Sequence, residues 1–277
     1  MVELLAPAKV NLCLRVYGKA SSGLHNLDSV VVFCQFGDKI HVQPAEKDSF
    51  HVSGPFAPLL TKIEKSSNLV IITRDIFRRV SGVREPIAIH LEKYIPVGAG
   101  LGGGSADAAA TLRGLNKITK SPLKHQQLFD LATELGSDVP VCLASTPHRV
   151  TGTGDIIHPL NNIQVGALLL VNPLIPLSTA AVFKQLLPPF NVPLPKKLDH
   201  DAINLANFGN DLASTAERLV PRVKDILRRL RQMPFCHAAQ MSGSGASCFG
   251  IFDDFSKRFP SQFLNVGVSE QNMIGLA

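Results

Sequence analysis

At 277 residues the chain has room for about two domains of roughly 150 residues, and it can bury a hydrophobic core without disulfides or a structural metal. Hydrophobic residues at 45%, charged residues at 18%, 21 Gly and 19 Pro exclude disordered and collagen-like chains. Twenty-eight Lys and Arg against 22 Asp and Glu leave a charge of +6, which is compatible with nucleic acid, with anionic metabolites or with no charged partner.

Alternation along Lys9 to Val16 predicts a strand with Val10, Leu12, Leu14 and Val16 on one face and Lys9, Asn11, Cys13 and Arg15 on the other. Further strands are expected at Val30 to Phe36, Ile40 to Gln43 and Ile87 to Glu92. A helix is expected to start at Ser105 as N-cap, with Ala106, Ala109, Leu112 and Leu115 on its apolar face. A second should run from about Leu123 to Leu135 and stop at Gly136. Strand character returns at Val165 to Val171. A Pro-rich loop spans Leu187 to Leu198, and an amphipathic helix follows in which Leu219, Val223, Ile226, Leu227 and Leu230 form the apolar stripe. Pro221 should kink that helix or mark its start. Arg218, Arg222, Lys224, Arg228, Arg229 and Arg231 lie on it without interleaved aromatics, so a solvated face is favoured over nucleic-acid binding. Two last strands are expected at His237 to Met241 and Ala246 to Phe252, joined through a Ser-Gly loop.

The five cysteines are widely spaced, contain no CxxC pair and read as reduced core residues. The nine histidines form no HExxH or clustered pattern, so a catalytic zinc site is not expected. Without a leader-like or membrane-spanning segment the expected compartment is the cytoplasm, with no membrane partner.

The sharpest feature is Pro96-Val97-Gly98-Ala99-Gly100-Leu101-Gly102-Gly103-Gly104-Ser105-Ala106, a glycine loop between strand and helix. Its backbone N–H groups and the helix N-terminus suit phosphate oxygens. The spelling Gly98-x-Gly100-x-x-Gly103 satisfies a dinucleotide fingerprint, but no carboxylate follows where the ribose would need one. The lysine of a Walker A loop is also absent. Two other segments stand out: Pro7-Ala8-Lys9-Val10-Asn11-Leu12 and Met241-Ser242-Gly243-Ser244-Gly245-Ala246-Ser247.

In this order, the three segments resemble the motifs of the GHMP kinase superfamily. Within it, Ser22-Gly23-Leu24-His25, Gly136-Ser137-Asp138-Val139-Pro140, Gly152-Thr153-Gly154-Asp155, Ser178 to Phe183 and Asn210-Asp211-Leu212 are most similar to the family acting on 4-diphosphocytidyl-2-C-methyl-D-erythritol. The resemblance implies two α/β (α+β) domains. The N-terminal one, residues 1–158, would be ribosomal-protein-S5-domain-2-like and the C-terminal one, 159–277, ferredoxin-like. It also implies transfer of the γ-phosphoryl group of ATP, with Mg2+, to the 2-hydroxyl of a cytidine-diphosphate-linked polyol in non-mevalonate isoprenoid synthesis, by a monomer or homodimer.

By the same resemblance Asp138 is the general base and Lys9 bridges it to the reacting oxygens. Residues 96 to 106, Asn68, Ser242, Gly243, Ser244 and Gly245 bind ATP, and Ser105 is a candidate Mg2+ ligand. Asn11, His25, Thr179 and Phe183 hold the acceptor, with His25 and Phe183 on the cytosine. The place of Asp138 just past a helix C-terminus would work against its charge, which Lys9 would oppose. The family's Asp-Gly-Tyr-His reads Ser22-Gly23-Leu24-His25 here, so Leu24 turns an aromatic sandwich into one aromatic and one aliphatic wall. Alternatives are another kinase of the superfamily (homoserine or mevalonate class), a non-catalytic nucleotide-binding module and, more distantly, a nicotinamide oxidoreductase.

Overall fold

The first strand, β1 (Val2–Lys19), is buried on both faces from Ala6 to Leu14, so the alternation expected there sorts directions without separating core from solvent. The structure, a computed structural model, describes residues 1–60, 65–120, 122–163 and 165–252. Two strands expected between residues 30 and 43 are one, β2 (His25–Pro44). Gly37 interrupts the apolar pattern but not the strand: a Cβ there would overlap the carbonyl oxygen of Ala6.

β3 (Ser49–Ser53) and α1 (Ala57–Leu60) follow, then α2 (Leu69–Ser81), which the sequence reading left out. Asn68 caps α2 by accepting a hydrogen bond from the Val70 N–H at 2.9 Å, and Gly82 ends it at φ 73°. β4 (Ile87–Glu92) has the expected bounds. α3 (Gly103–Ile118) starts before Ser105, and its N-cap is Gly102 at φ 65°. Glycine is a poor helix former, so local propensity favours a later start, but here the left-handed cap requires it. α4 (His125–Leu135) ends at Gly136 as expected, and α5 (Val139–Ala144) begins at once, with Asp138 as its N-cap residue.

The remaining elements are β5 (His148–Gly152), β6 (Ile156–Pro159), β7 (Ala167–Val171), α6 (Thr179–Lys184), α7 (Ala202–Ala206), α8 (Ala213–Leu219), α9 (Arg222–Gln232), β8 (Cys236–Met241) and β9 (Cys248–Phe252). Pro221 marks a helix start: it separates α8 from α9. Val223, Leu227 and Leu230 are buried along α9 as its stripe requires.

Contacts divide the chain into two units. The first holds Met1–Lys9, Phe33–Val97 and Gly102–Thr146; the second holds Val10–Val32, Gly98–Leu101 and the chain from Pro147 on. This division by contacts interleaves along the chain, where the expected 1–158 and 159–277 are contiguous. In the first unit β4 pairs antiparallel with Lys39 to Pro44 of β2 and parallel with β3. The Ile and Val side chains of these strands pack with α2, α3, α4 and α5. In the second unit β5 pairs with Leu27 to Val31 of β2 and with β6, while β7, β9 and β8 form an antiparallel sheet on which α9 packs. All five cysteines are free, and burial pushes the thiols of Cys13, Cys142 and Cys248 up to about 12.

Candidate active site

Lys9 is 6% exposed, and its ammonium lies 3.0 Å from Asp138 Oδ1. A buried lysine needs such a partner. Its stem runs over Gly102, where a Cβ would stand 3.1 Å from Lys9 Cε, so the glycine at the N-cap of α3 also makes room for the lysine. Gly102 offers no side-chain cap, which leaves the first N–H groups of α3 without an intrahelical acceptor, as an anion site requires. Ser105 sits in this first turn.

Asp138 stands where the N-terminus of α5 begins and not only past the end of α4. Its side chain makes no cap hydrogen bond to the N–H groups of α5. α5 is itself fixed by Arg113 of α3, whose guanidinium donates to the Ser145 hydroxyl at 2.8 Å and the Leu143 carbonyl at 3.2 Å.

In the second unit, Asn11, Gly98–Leu101 and Ser242–Gly245 are knitted by the Ser242 hydroxyl and by backbone. The Asn11 N–H donates to Ser242 Oγ at 3.1 Å, Ser242 Oγ donates to the Gly100 carbonyl at 2.9 Å, and the Ser247 N–H donates to the Ala99 carbonyl at 3.1 Å. Gly100 has φ 72°, and a Cβ there would lie 2.6 Å from the carbonyl oxygens of both Gly245 and Ser242. Gly100→Ala is expected to lower the melting temperature and weaken ATP binding together. Backbone strain of about 1–2 kcal/mol adds to an overlap that no side chain can relieve. Gly104→Ala, where the nearest atom is Leu69 Cδ1 at 3.5 Å, should leave the melting temperature unchanged; paired melts and ATP titrations check both.

Asn11 Nδ2 donates to Ser29 Oγ at 2.8 Å, while its buried Oδ1 has no partner. Thr179 meets the third motif, with its hydroxyl 2.7 Å from that of Ser244. Sequence reasoning did not place Asn210 in the site: its amide donates to the carbonyls of Met241 at 2.7 Å and Gly243 at 2.8 Å and so sets the glycine-serine loop. Its presence in a motif-like Asn-Asp-Leu was the available signal. The neighbouring Asp211 accepts from the Val16 N–H at 2.8 Å and pairs with Arg15.

His25 and Phe183 come together, with ring centres 5.2 Å apart, and Phe190, which sequence reasoning missed, meets His25 edge-on at 5.6 Å. Leu24 is 59% exposed. Burial, with the charge of Lys19 adding to it, holds the His25 imidazole below its ordinary value, so it is neutral at pH 7 and keeps one donor and one acceptor. Its Nε2 is buried without a partner. On the same strand Asp28, 2% exposed, takes both prongs of Arg149 at 2.9 and 2.7 Å and the Leu194 N–H at 2.9 Å, which ties down the Pro-rich segment.

Residues 68–146 match the model of the GHMP kinases N terminal domain and residues 196–259 that of the GHMP kinases C terminal domain. A 4-diphosphocytidyl-2-C-methyl-D-erythritol kinase of Sinorhizobium medicae is 43% identical over 264 residues, covering 91% of this chain and 87% of its own. The enzyme so named in Chelativorans sp. is 41% identical, covering 92% and 88%. A crystal structure of 4-(cytidine 5'-diphospho)-2C-methyl-D-erythritol kinase superposes with a TM-score of 0.76 at 31% identity over 93% of each chain. A mevalonate kinase from L. major, at 13% identity and a TM-score of 0.61 over 93% and 89%, shares the fold alone. The chain belongs to the GHMP kinases, ATP-dependent phosphotransferases of two-domain fold, and within them to the 4-diphosphocytidyl-2-C-methyl-D-erythritol kinase family.

Proposed function

We propose that the protein transfers the γ-phosphoryl group of ATP to the 2-hydroxyl of 4-diphosphocytidyl-2-C-methyl-D-erythritol, as a step of non-mevalonate isoprenoid synthesis. The observation that carries this reading is the first unit's combination of Lys9 Nζ at 3.0 Å from Asp138 with the bare N-terminus of α3 at Gly102, over which the Lys9 stem runs. Phosphoryl transfer asks a protein mainly for positioning and charge stabilisation. Asp138 accepts the proton of the attacking hydroxyl. Lys9 orients that carboxylate and offsets the negative charge that builds on the transferring oxygens. The ATP-binding groups are, in the first unit, Pro96, Val97 and the N–H groups of residues 102 to 106 and, in the second, residues 98 to 101 and Ser242 to Gly245.

Asn68, although its Oδ1 caps α2, belongs to the adenine end. The first turn of α3 suits a hydrated cation because Ser105 offers a hydroxyl there, and Mg2+, when bound, neutralises phosphate charge. Asn11, with its unpartnered Oδ1, and Thr179 hold the polyol, while His25, Phe183 and Phe190 take the cytosine. Phe190 gives back the second aromatic surface that Leu24 does not supply. Phe190→Ala is expected to raise KM for the cytidyl substrate roughly tenfold with kcat nearly unchanged, because stacking on a base is worth about 1–3 kcal/mol. Steady-state kinetics over both substrates check this.

The His25–Phe183–Phe190 cluster favours a base-bearing acceptor over homoserine or mevalonate. No helix among the described residues is long and apolar enough to cross a membrane, and we place the enzyme in the cytoplasm as a monomer or homodimer. Domains of 1–158 and 159–277 are part of the same proposal, supported by family matches that fall on either side of that boundary. Coupled ADP release with ATP, Mg2+ and each of the three acceptors tests the reading. Turnover with the cytidyl substrate alone is the expected result; turnover with homoserine or mevalonate alone, or with none while ATP binds, overturns it.

A further inference from the structure

Strand alternation in the first unit turns Ile40, Val42, Ile89 and Leu91 toward the helices, and so turns His41, His90, Glu92 and His51 to the opposite face. Register then sets them side by side: His90 is the partner of His41 on β2 and of His51 on β3. The rings of His41 and His90 stack at 5.3 Å and those of His51 and His90 lie 5.0 Å apart. One ligand atom each from His41, His90 and Glu92 falls within 4.8 Å of the others. These residues lie outside the catalytic and substrate-binding groups placed above.

We propose that His41, His90 and Glu92 bind one divalent transition-metal ion of the zinc class. Two imidazoles and a carboxylate are the donor set such ions take with a further position open. Ligand atoms on one tetrahedral ion stand roughly 3.3 Å apart, so side-chain rotation of about an ångström completes the site. The outer partners are in place: Tyr94 OH donates to Glu92 Oε2 at 2.9 Å, Ser53 Oγ is 2.8 Å from His90 Nε2, and Glu3 Oε2 is 3.7 Å from His41 Nδ1. His41 Nε2 lies 2.7 Å from Glu92 Oε1, and to take the ion at Nε2 the neutral imidazole carries its proton on Nδ1, the nitrogen 3.7 Å from Glu3 Oε2. His51, its ring centre 5.0 Å from that of His90, is a third imidazole and a candidate fourth ligand. The ion would clamp β2 to β4, the strand whose next residues lead into the glycine loop.

The test is calorimetric titration of the tag-free full chain with Zn2+ alone, repeated with Co2+ to read its visible spectrum. Expected are one ion per chain and a Zn2+-dependent rise in melting temperature. His90→Gln and, separately, His41→Asn should weaken binding at least about tenfold and remove the thermal shift while kinase turnover persists. Absence of saturable binding up to about 100 µM Zn2+ overturns the proposal, as does unchanged affinity in both variants.

Discussion

Asp138→Asn is expected to lower kcat by about 10²–10⁴-fold while ATP still binds, the range over which a positioned general base contributes. Asparagine has nearly the size of aspartate and can still accept a hydrogen bond from Lys9, so the pair at 3.0 Å keeps its shape. What it loses is the ability to take the hydroxyl proton, along with the charge that holds the ammonium. The Asp138 side chain is 40% exposed, so water partly replaces its charge, but the buried Lys9 ammonium loses its ionic partner; some fall in melting temperature is expected, and turnover is to be measured well below the variant's own melt. Loss of turnover would then report chemistry and not folding. Burst and steady-state kinetics, with ATP affinity measured separately, make the comparison; a kcat within about fivefold of wild type would remove Asp138 from the role of base.

Lys93→Met should produce the largest loss of stability in the first unit, about 3–5 kcal/mol, or a fall in melting temperature of roughly 6–20 °C. Lys93 is 3% exposed and lies 2.5 Å from Asp38 Oδ2 and 2.7 Å from Asp107 Oδ2, themselves 0% and 3% exposed. Asp38 Oδ1 also accepts from the N–H groups of Tyr94 at 2.5 Å and Ile95 at 2.7 Å, so this triad fixes the chain leading into the glycine loop. Methionine fills the volume but leaves the buried Asp38–Asp107 pair without its cation. A melt within about 2 °C of wild type would show that the triad is not needed for folding.

The triad also makes stability depend on pH. Burial raises the Asp107 carboxyl to about 8, the Lys93 charge opposing and the Asp38 charge adding. The folded state therefore binds this proton more tightly than the unfolded chain, where the ordinary value is 3.8. Its contribution to stability is complete below pH 4 and is lost as the pH rises to about 8. Asp107→Asn cannot ionise, so it should flatten the fall in stability between those limits; denaturant midpoints across the range check the slope.

The glycine loop was legible because glycines at that density, followed by a helical pattern, have few structural uses. Ile87 to Glu92 was legible because strict alternation has one backbone solution. The N-cap of α3 lies three residues before Ser105, where a left-handed glycine cap outweighs local propensity, and α2 went unseen although Asn68 and Gly82 cap its two ends. The role of Asn68 as a cap is as local as that signal, yet a single Asn before apolar residues is too common to stand out.

The sequence by itself determined which residues can do chemistry: Lys9, Asp138, the glycine loop and the Ser-Gly loop are recognisable as residue types in a fixed order. Only the tertiary structure decided their company. Alternation tells which way a strand residue points but not what stands opposite it. Register set His90 between His41 and His51, long-range packing brought Lys93 to Asp38 and Asp107, and the Pro-rich segment carried Phe190 to His25. Such pairings are fixed by the need to satisfy charges and hydrogen bonds taken out of water, and that need arises only once the chain has closed on itself.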